Sequence, residues 1–371
     1  MKNISVMLKP ASSACNLRCK YCFYADVSAA RAIPSYGLMS RETAEGVIAN
    51  LFADLAPGDR LTLAFQGGEP TLAGLDFYRH FIQTVSAYAK NEIHVSYALQ
   101  TNGILLDDQW CAFLKEHDFL VGLSIDGPAA YHDANRVDIH GYGSFHRIMD
   151  AKKRMDKWGV SYNVLMTLTN SLARHPLQVW RFLLEQELHY VQFTPCLGAF
   201  GAKNDPYALT PQRYAAFYSA IFDKWYQEYQ NGHYISIKLF DDLVNLLALG
   251  QCNACGLLGR CQRQIIVEAD GSVYPCDFYV LDEYRAGNLA QEPLRTVFEA
   301  PAMEQFLSRP REPLPLCDSC PYRNVCSGGC QRMRHEVFYH PGDSICGHRQ
   351  FLDSAASRLM DLAQRSRHYS S

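Results

Sequence analysis

Short apolar, β-branched runs alternate six times with longer amphipathic stretches, and this alternation restricts the fold more than any other feature of the sequence. The runs at 4–8, 61–66, 93–100, 120–126, 160–168 and 190–195 have the length and composition of strands. The stretches at 40–55, 75–90, 107–117, 145–158 and 175–186 read as helices, with Ser40 and Asp107 as N-caps. Strands that alternate with helices pair in parallel, so an α/β array is expected. Six repeats suit a partial (β/α)6 barrel of the TIM type better than a closed eightfold one. Helices at 211–230 and 239–249 follow. Near Gly250 the composition changes, and from 251 to about 347 the chain is rich in Cys, Gly and Pro with poor periodicity. A last helix is expected at about 350–365. The expected domains are a barrel over 1–235, a cysteine-rich domain over 236–349 and a C-terminal helix over 350–371.

The net charge of −3 gives no reason to expect a nucleic-acid partner. The N-terminus, MKNISVMLKPASSACN, lacks a long apolar run, so neither an export signal nor a membrane span is expected. A cytoplasmic, reducing location follows as an expectation. There the 14 cysteines point to metal binding or catalysis rather than to disulfides.

Residues 15–22 read CNLRCKYC, just past the first strand. Cys15, Cys19 and Cys22 supply three thiolates, enough for three irons of a [4Fe–4S] cube and one short of a closed electron carrier. The open iron would take a substrate or cofactor. The Pro10-Ala11-Ser12-Ser13 segment before them argues for a loop rather than one face of a core helix.

In (β/α) barrels the chemistry gathers at the C-terminal ends of the strands. The unusual residues of this chain fall there: the cysteine loop, Gln66-Gly67-Gly68-Glu69-Pro70, Gln100-Thr101-Asn102-Gly103, Ser124-Ile125-Asp126-Gly127-Pro128 and Pro195-Cys196-Leu197-Gly198. Gly67 and Gly68 allow a backbone to approach a ligand closely. Glu69 offers acceptors for an ammonium group, and Arg136 a guanidinium for a carboxylate.

The C-x3-C-x2-C motif followed by Gly-Gly-Glu-Pro resembles the radical S-adenosylmethionine superfamily. The later cysteines, Cys261, Cys276, Cys317, Cys320, Cys326, Cys330 and Cys346, resemble the seven-cysteine SPASM extension, with Cys255 as an eighth ligand. Zinc is the competing occupant, since C-x2-C pairs also build zinc sites. The segments KPASSACNLRCKYCFY, FQGGEPTLAGL, LQTNGILLD, LVGLSIDGP and DGSVYPCDFYVLD further resemble the anaerobic sulfatase-maturating enzymes, in order along nearly the whole chain.

This resemblance implies three [4Fe–4S] clusters and S-adenosylmethionine. One auxiliary cluster would take Cys255, Cys261, Cys276 and Cys330, the other Cys317, Cys320, Cys326 and Cys346. It implies cofactor contacts at Tyr21, Gly68, Glu69, Ser124, Arg136 and Leu197, target contacts at Tyr24 and Gln66, and Asp277 as the base. The implied reaction oxidises a cysteine or serine of a sulfatase, within a Cys/Ser-x-Pro/Ala-x-Arg motif, to Cα-formylglycine. A one-electron reductant such as flavodoxin or ferredoxin would feed it.

Two other readings compete: a SPASM maturase forming, for example, thioethers in another peptide, and an electron-transfer protein without turnover. The first usually carries a peptide-binding domain ahead of the barrel, whereas here the first strand begins within a few residues. The open-iron motif argues against the second. Cys111 and Cys196 read as packing residues, and Cys252 is an extra thiol near Cys255.

Overall fold

The computed structural model describes residues 1–89, 93–202, 204–252, 254–310, 314–340 and 345–370. Its strands are β1 (Asn3–Leu8), β2 (Arg60–Phe65), β3 (His94–Thr101), β4 (Leu120–Ser124), β5 (Tyr162–Leu168), β6 (Tyr190–Pro195), β7 (Ser236–Ile237), β8 (Ile265–Val267), β9 (Ser272–Tyr274) and β10 (Gly287–Asn288). The six expected strands are the first six of these, and helices separate them. Ser40 caps the helix Arg41–Ala53 by accepting from the Thr43 amide, and Asp107 caps Asp108–Glu116 by accepting from the Trp110 amide. The expected helix at 75–90 is Leu75–Ala89, and Lys90 lies outside the described residues. The last helix is longer than expected, Gly347–Ser370.

The chain forms two compact units. The first comprises Met1–Ser124, Asn135–Tyr162 and Arg263–Arg309. Its strands lie in the order β10-β9-β8-β1-β2-β3-β4. From β8 to β4 neighbouring strands run parallel, and β9 and β10 turn back antiparallel. The second comprises Ile125–Ala134, Asn163–Gln262 and Pro310–Ser371, with β5, β6 and β7 parallel. Beside them the rings of Phe222, Phe240 and Phe351 pack together, with centroids 5.1–6.1 Å apart, joining the helices Pro211–Gln230, Lys238–Leu249 and Gly347–Ser370.

The strands beyond residue 251 depart from the expectation of an irregular segment. β8, β9 and β10 are two or three residues long, too short to show a period of two. β8 nevertheless joins the sheet directly beside β1, with Val6, Met7 and Leu8 opposite Ile265, Ile266 and Val267.

Register carries this pairing to the site. Leu8 stands opposite both Phe65 and Val267. The next residues on these three neighbouring strands are Lys9, Gln66 and Glu268. Backbone bonds fix them, Lys9 N–H donating to the Val267 carbonyl at 2.8 Å and Gln66 N–H to the Leu8 carbonyl at 2.9 Å.

Candidate functional site

Cys15, Cys19 and Cys22 occupy the loop after β1 and are half-buried. The helix Phe23–Ala29 starts directly after Cys22, and its Tyr24 and Val27 pack against Ile266, Tyr274 and Val280. This small core joins the cysteine loop to the β8–β9 hairpin and the turn that holds Asp277. Phe23 and Phe278 meet edge to face at 5.0 Å.

The Gly-Gly-Glu-Pro segment braces the same loop. Gly68 N–H donates to the Ser12 carbonyl and Glu69 N–H to the Ala14 carbonyl, both at 2.8 Å. A Cβ at Gly68 would lie 2.0 Å from the Ala14 oxygen, so the close approach this glycine permits is to the backbone just before Cys15. The Glu69 side chain is buried. Its Oε1 accepts from Thr71 N–H (3.1 Å), Thr71 Oγ1 (2.6 Å) and Thr101 Oγ1 (2.7 Å), and its Oε2 from Asn102 N–H (2.7 Å). Burial pushes its pKa up against the opposing pull of these donors. Asn102 extends the link, its amide nitrogen lying 2.7 Å from Asn16 Oδ1 and 3.9 Å from Cys15 Sγ.

Asp277 lies on the turn after β9 and is joined by two residues from strand ends. Lys9 Nζ is 2.6 Å from its Oδ1, and Gln66 Nε2 donates to its Oδ2 at 3.0 Å. Lys9 is wholly buried, whereas the Asp277 side chain keeps 14% exposure, so the carboxylate is the open end of the pair. The Lys9 ammonium also sits 3.8 Å from the centroid of the Tyr24 ring. The Tyr24 hydroxyl donates to Glu268 Oε1. Burial, then the adjacent Glu268 charge, pushes this phenol well above its ordinary pKa, so it stays a donor. Glu268 is fully buried and also receives Arg31 Nη1 and Ser12 Oγ, each at 2.8 Å. The sequence reading missed Lys9, Ser12, Arg31 and Glu268. Lys9 directly follows β1, so the strand-end rule would have found it, whereas Glu268 follows a strand of three residues that the sequence does not reveal.

The remaining named positions are placed as follows. Ser124 ends β4 and accepts from Gln100 Nε2 at 3.0 Å. Arg136 is buried rather than a surface arginine, with its guanidinium 5.6 Å from the Tyr21 ring centroid. Leu197 is buried in the second unit, in the loop after β6.

Apart from Cys196, the cysteines of the second unit fall into two sets. Burial pushes the Cys326 thiol up to about 12, and Cys346, Cys317 and Cys320 are near enough to push it the same way. These four line one cavity. Burial likewise pushes the Cys255 thiol up, and the nearby Cys330, Cys261 and Cys252 push it the same way. Cys276 belongs to the first unit. Among the described residues no three His, Cys, Asp or Glu side chains converge as ligands of a single ion do. A [4Fe–4S] cube, with irons at alternate corners, takes thiolates spread apart. Three thiols on one loop and four around one cavity are donor sets that fit such cubes.

The radical SAM superfamily profile matches residues 10–187, and an iron–sulfur cluster-binding domain, SPASM, matches 249–321. The chain is 38% identical over 369 residues to a cysteine-type anaerobic sulfatase-maturating enzyme of Clostridium novyi (strain NT), covering 98% of each chain. It belongs to the anaerobic sulfatase-maturating enzymes. Identity to a serine-type anaerobic sulfatase-maturating enzyme of Bacteroides thetaiotaomicron is 30% over 351 residues, 90% of this chain and 84% of that one. A solved sulfatase-maturating structure, native anSMEcpe with bound AdoMet and Kp18Cys peptide, superposes with a TM-score of 0.89 at 36% identity, covering 98% of this chain and 99% of that one. As in this family, the cofactors are [4Fe–4S] clusters and S-adenosylmethionine. Among the described residues no helix is long and apolar enough to cross a membrane.

Proposed function

We propose that this chain oxidises one cysteine or serine side chain of a sulfatase to Cα-formylglycine, with Asp277 as the base. The observation that carries this reading is the Lys9–Asp277–Gln66 arrangement, a carboxylate held by two donors with its outer edge exposed, in a chain of this family. When bound, the cofactors supply a carbon radical that takes hydrogen from the target Cβ, and an acceptor for the second electron. The chain's own residues manage the proton. Asp277 receives it from the target thiol or hydroxyl, and a carboxylate next to a cluster ligand, Cys276, lets proton and electron leave at one place; a serine target then yields the aldehyde directly, and a cysteine target a thioaldehyde that water hydrolyses to the aldehyde with release of hydrogen sulfide. Gln66 and Lys9 hold the carboxylate in one orientation. Tyr24 and Gln66 border the position of the target residue.

Tyr21, Gly68, Glu69, Ser124, Arg136 and Leu197 are proposed to contact S-adenosylmethionine. The cluster ligands are those implied by the resemblance: Cys15, Cys19 and Cys22; Cys255, Cys261, Cys276 and Cys330; Cys317, Cys320, Cys326 and Cys346. The proposed division is a radical core over 1–235, an auxiliary-cluster segment over 236–349 and a closing helix over 350–371. The partner is a sulfatase bearing Cys/Ser-x-Pro/Ala-x-Arg, and the greater identity to the cysteine-type relative favours a cysteine target. A flavodoxin or ferredoxin in a reducing cytoplasm completes the scheme.

The test is anaerobic incubation with S-adenosylmethionine, dithionite and sulfatase peptides of about 20 residues, long enough to span a cleft in extended form. The expected product is a peptide whose mass records conversion of thiol to aldehyde, formed together with 5′-deoxyadenosine. Cofactor cleavage without any aldehyde from cysteine or serine peptides would overturn the proposal.

A further inference from the structure

Four polar side chains besides the cysteines line the four-cysteine cavity, Tyr322, Tyr339, Arg349 and His348, and of these four His348 alone is buried. His348, in the first turn of the helix Gly347–Ser370, lines the cavity with Cys317, Cys320, Cys326 and Cys346 and is 1% exposed. Its Nδ1 lies 2.9 Å from the Tyr214 hydroxyl. Its Nε2 has no hydrogen-bond partner among the described residues and is sealed from solvent. A buried ring nitrogen without a partner is costly and points to a group not yet in place.

The imidazole is rigidly held. The backbones of the two helices carrying the pair touch, since a Cβ on Gly347 would lie 2.2 Å from the Pro211 carbonyl oxygen. Phe338 packs on the ring at 5.2 Å and Phe351 at 6.2 Å. Tyr214 is itself buried, and its hydroxyl shares one hydrogen bond with Nδ1 whose direction follows the ring tautomer. With Nδ1 accepting, the proton of a neutral ring sits on Nε2. The opposite tautomer would leave Nε2 a buried bare lone pair in a ring that lines the cavity of four thiolate ligands, which repels.

We propose that His348 donates a hydrogen bond from Nε2 to a sulfur of the iron–sulfur cluster held by Cys317, Cys320, Cys326 and Cys346, and thereby raises that cluster's reduction potential. One-electron reduction adds negative charge that the sulfurs share. A fixed N–H donor favours the reduced form over the oxidised one, so the couple moves to a higher potential. The proposal rests on the iron–sulfur reading of these four cysteines and not on the sulfatase reaction.

The experiment is an anaerobic redox titration of the full chain, reconstituted with iron and sulfide and followed by electron paramagnetic resonance, for wild type, His348→Leu and His348→Gln. With cluster content equal to wild type, His348→Leu shifts one cluster to a more negative potential and leaves the other two in place. His348→Gln, which keeps a side-chain N–H, recovers part of the shift. A second measurement covers any loss of loading: pulsed resonance on protein labelled with ¹⁵N-histidine shows a weak nitrogen coupling to one reduced cluster, and Tyr214→Phe, which frees Nδ1, alters it. Unchanged potentials in fully loaded His348→Leu, or no histidine coupling in wild type, would overturn the proposal alone. Zinc in place of iron would overturn the cluster reading beneath it.

Discussion

Lys9 and Asp277 lie 268 positions apart in the chain and 2.6 Å apart in space, and strand register brings them together. Leu8 stands opposite Val267, so the residues just beyond β1 and β8 share one edge of the sheet, and the turn after β9 returns Asp277 to it. An ammonium without exposure thus faces a carboxylate that retains some.

Asp277→Asn is expected to lower aldehyde formation by about 10²- to 10⁴-fold, the usual contribution of a positioned base, while 5′-deoxyadenosine still forms. Lys9→Met removes a charge-assisted bond of about 1.5–3 kcal/mol, which converts to about a ten- to hundredfold fall in aldehyde yield. Lys9→Arg should retain part of the activity. The ratio of aldehyde to 5′-deoxyadenosine checks both, and an equal fall in the two products would count against the roles assigned.

The buried pair of Arg31 and Glu268, with neither side chain exposed, answers to stability rather than turnover. Arg31→Met leaves an uncompensated buried carboxylate and is expected to destabilise the first unit by about 3–5 kcal/mol. Combining it with Glu268→Gln should cost less than the two single changes added together, as read by anaerobic denaturant titration of the four members of the cycle.

Gly68→Ala forces a methyl group against the Ala14 carbonyl. Relief requires the segment before Cys15 to move, so the first cluster should be lost or loosely held while the auxiliary clusters persist. Iron content, and loss of the spectral change that S-adenosylmethionine induces in the first cluster, measure this.

Cys252 and Cys255 compete on paper for one ligand position, and the geometry separates them. Gly256, next to Cys255, packs against Cys330, where an added Cβ would lie 2.8 Å from the Cys330 Cβ, whereas the Cys252 thiol turns to the Ala254 carbonyl at 3.7 Å. Cys255→Ser should lower iron content by about one cluster in three. Cys252→Ser should leave it unchanged, and the reverse result would reassign the ligand.

The six β/α repeats were legible because each strand is long enough to show its composition and each helix carries a cap or a period. The cysteine positions were legible because thiol spacing survives in sequence whatever the intervening fold. The hub around Glu268 was not. A glutamate after Ile265-Ile266-Val267 looks like a solvated turn residue until β8 is known to lie against β1, and three-residue strands carry no periodicity that would reveal this. Arg31 and Ser12 were hidden for the same reason, since their partner is more than 230 positions away. Glu69 was visible, but its occupation by Thr71, Thr101 and Asn102 appears only once the strand ends are brought side by side.

The pairing of β1 with β8 also governs how the chain is made. During synthesis Val6, Met7 and Leu8 leave the ribosome more than 250 residues before Ile265, Ile266 and Val267 do. Until then one side of β1 is an unpaired edge, open to register errors and to association with other nascent chains. A polypeptide ending near Gly250 would keep that edge permanently, so the radical core is not expected to survive as a shortened protein.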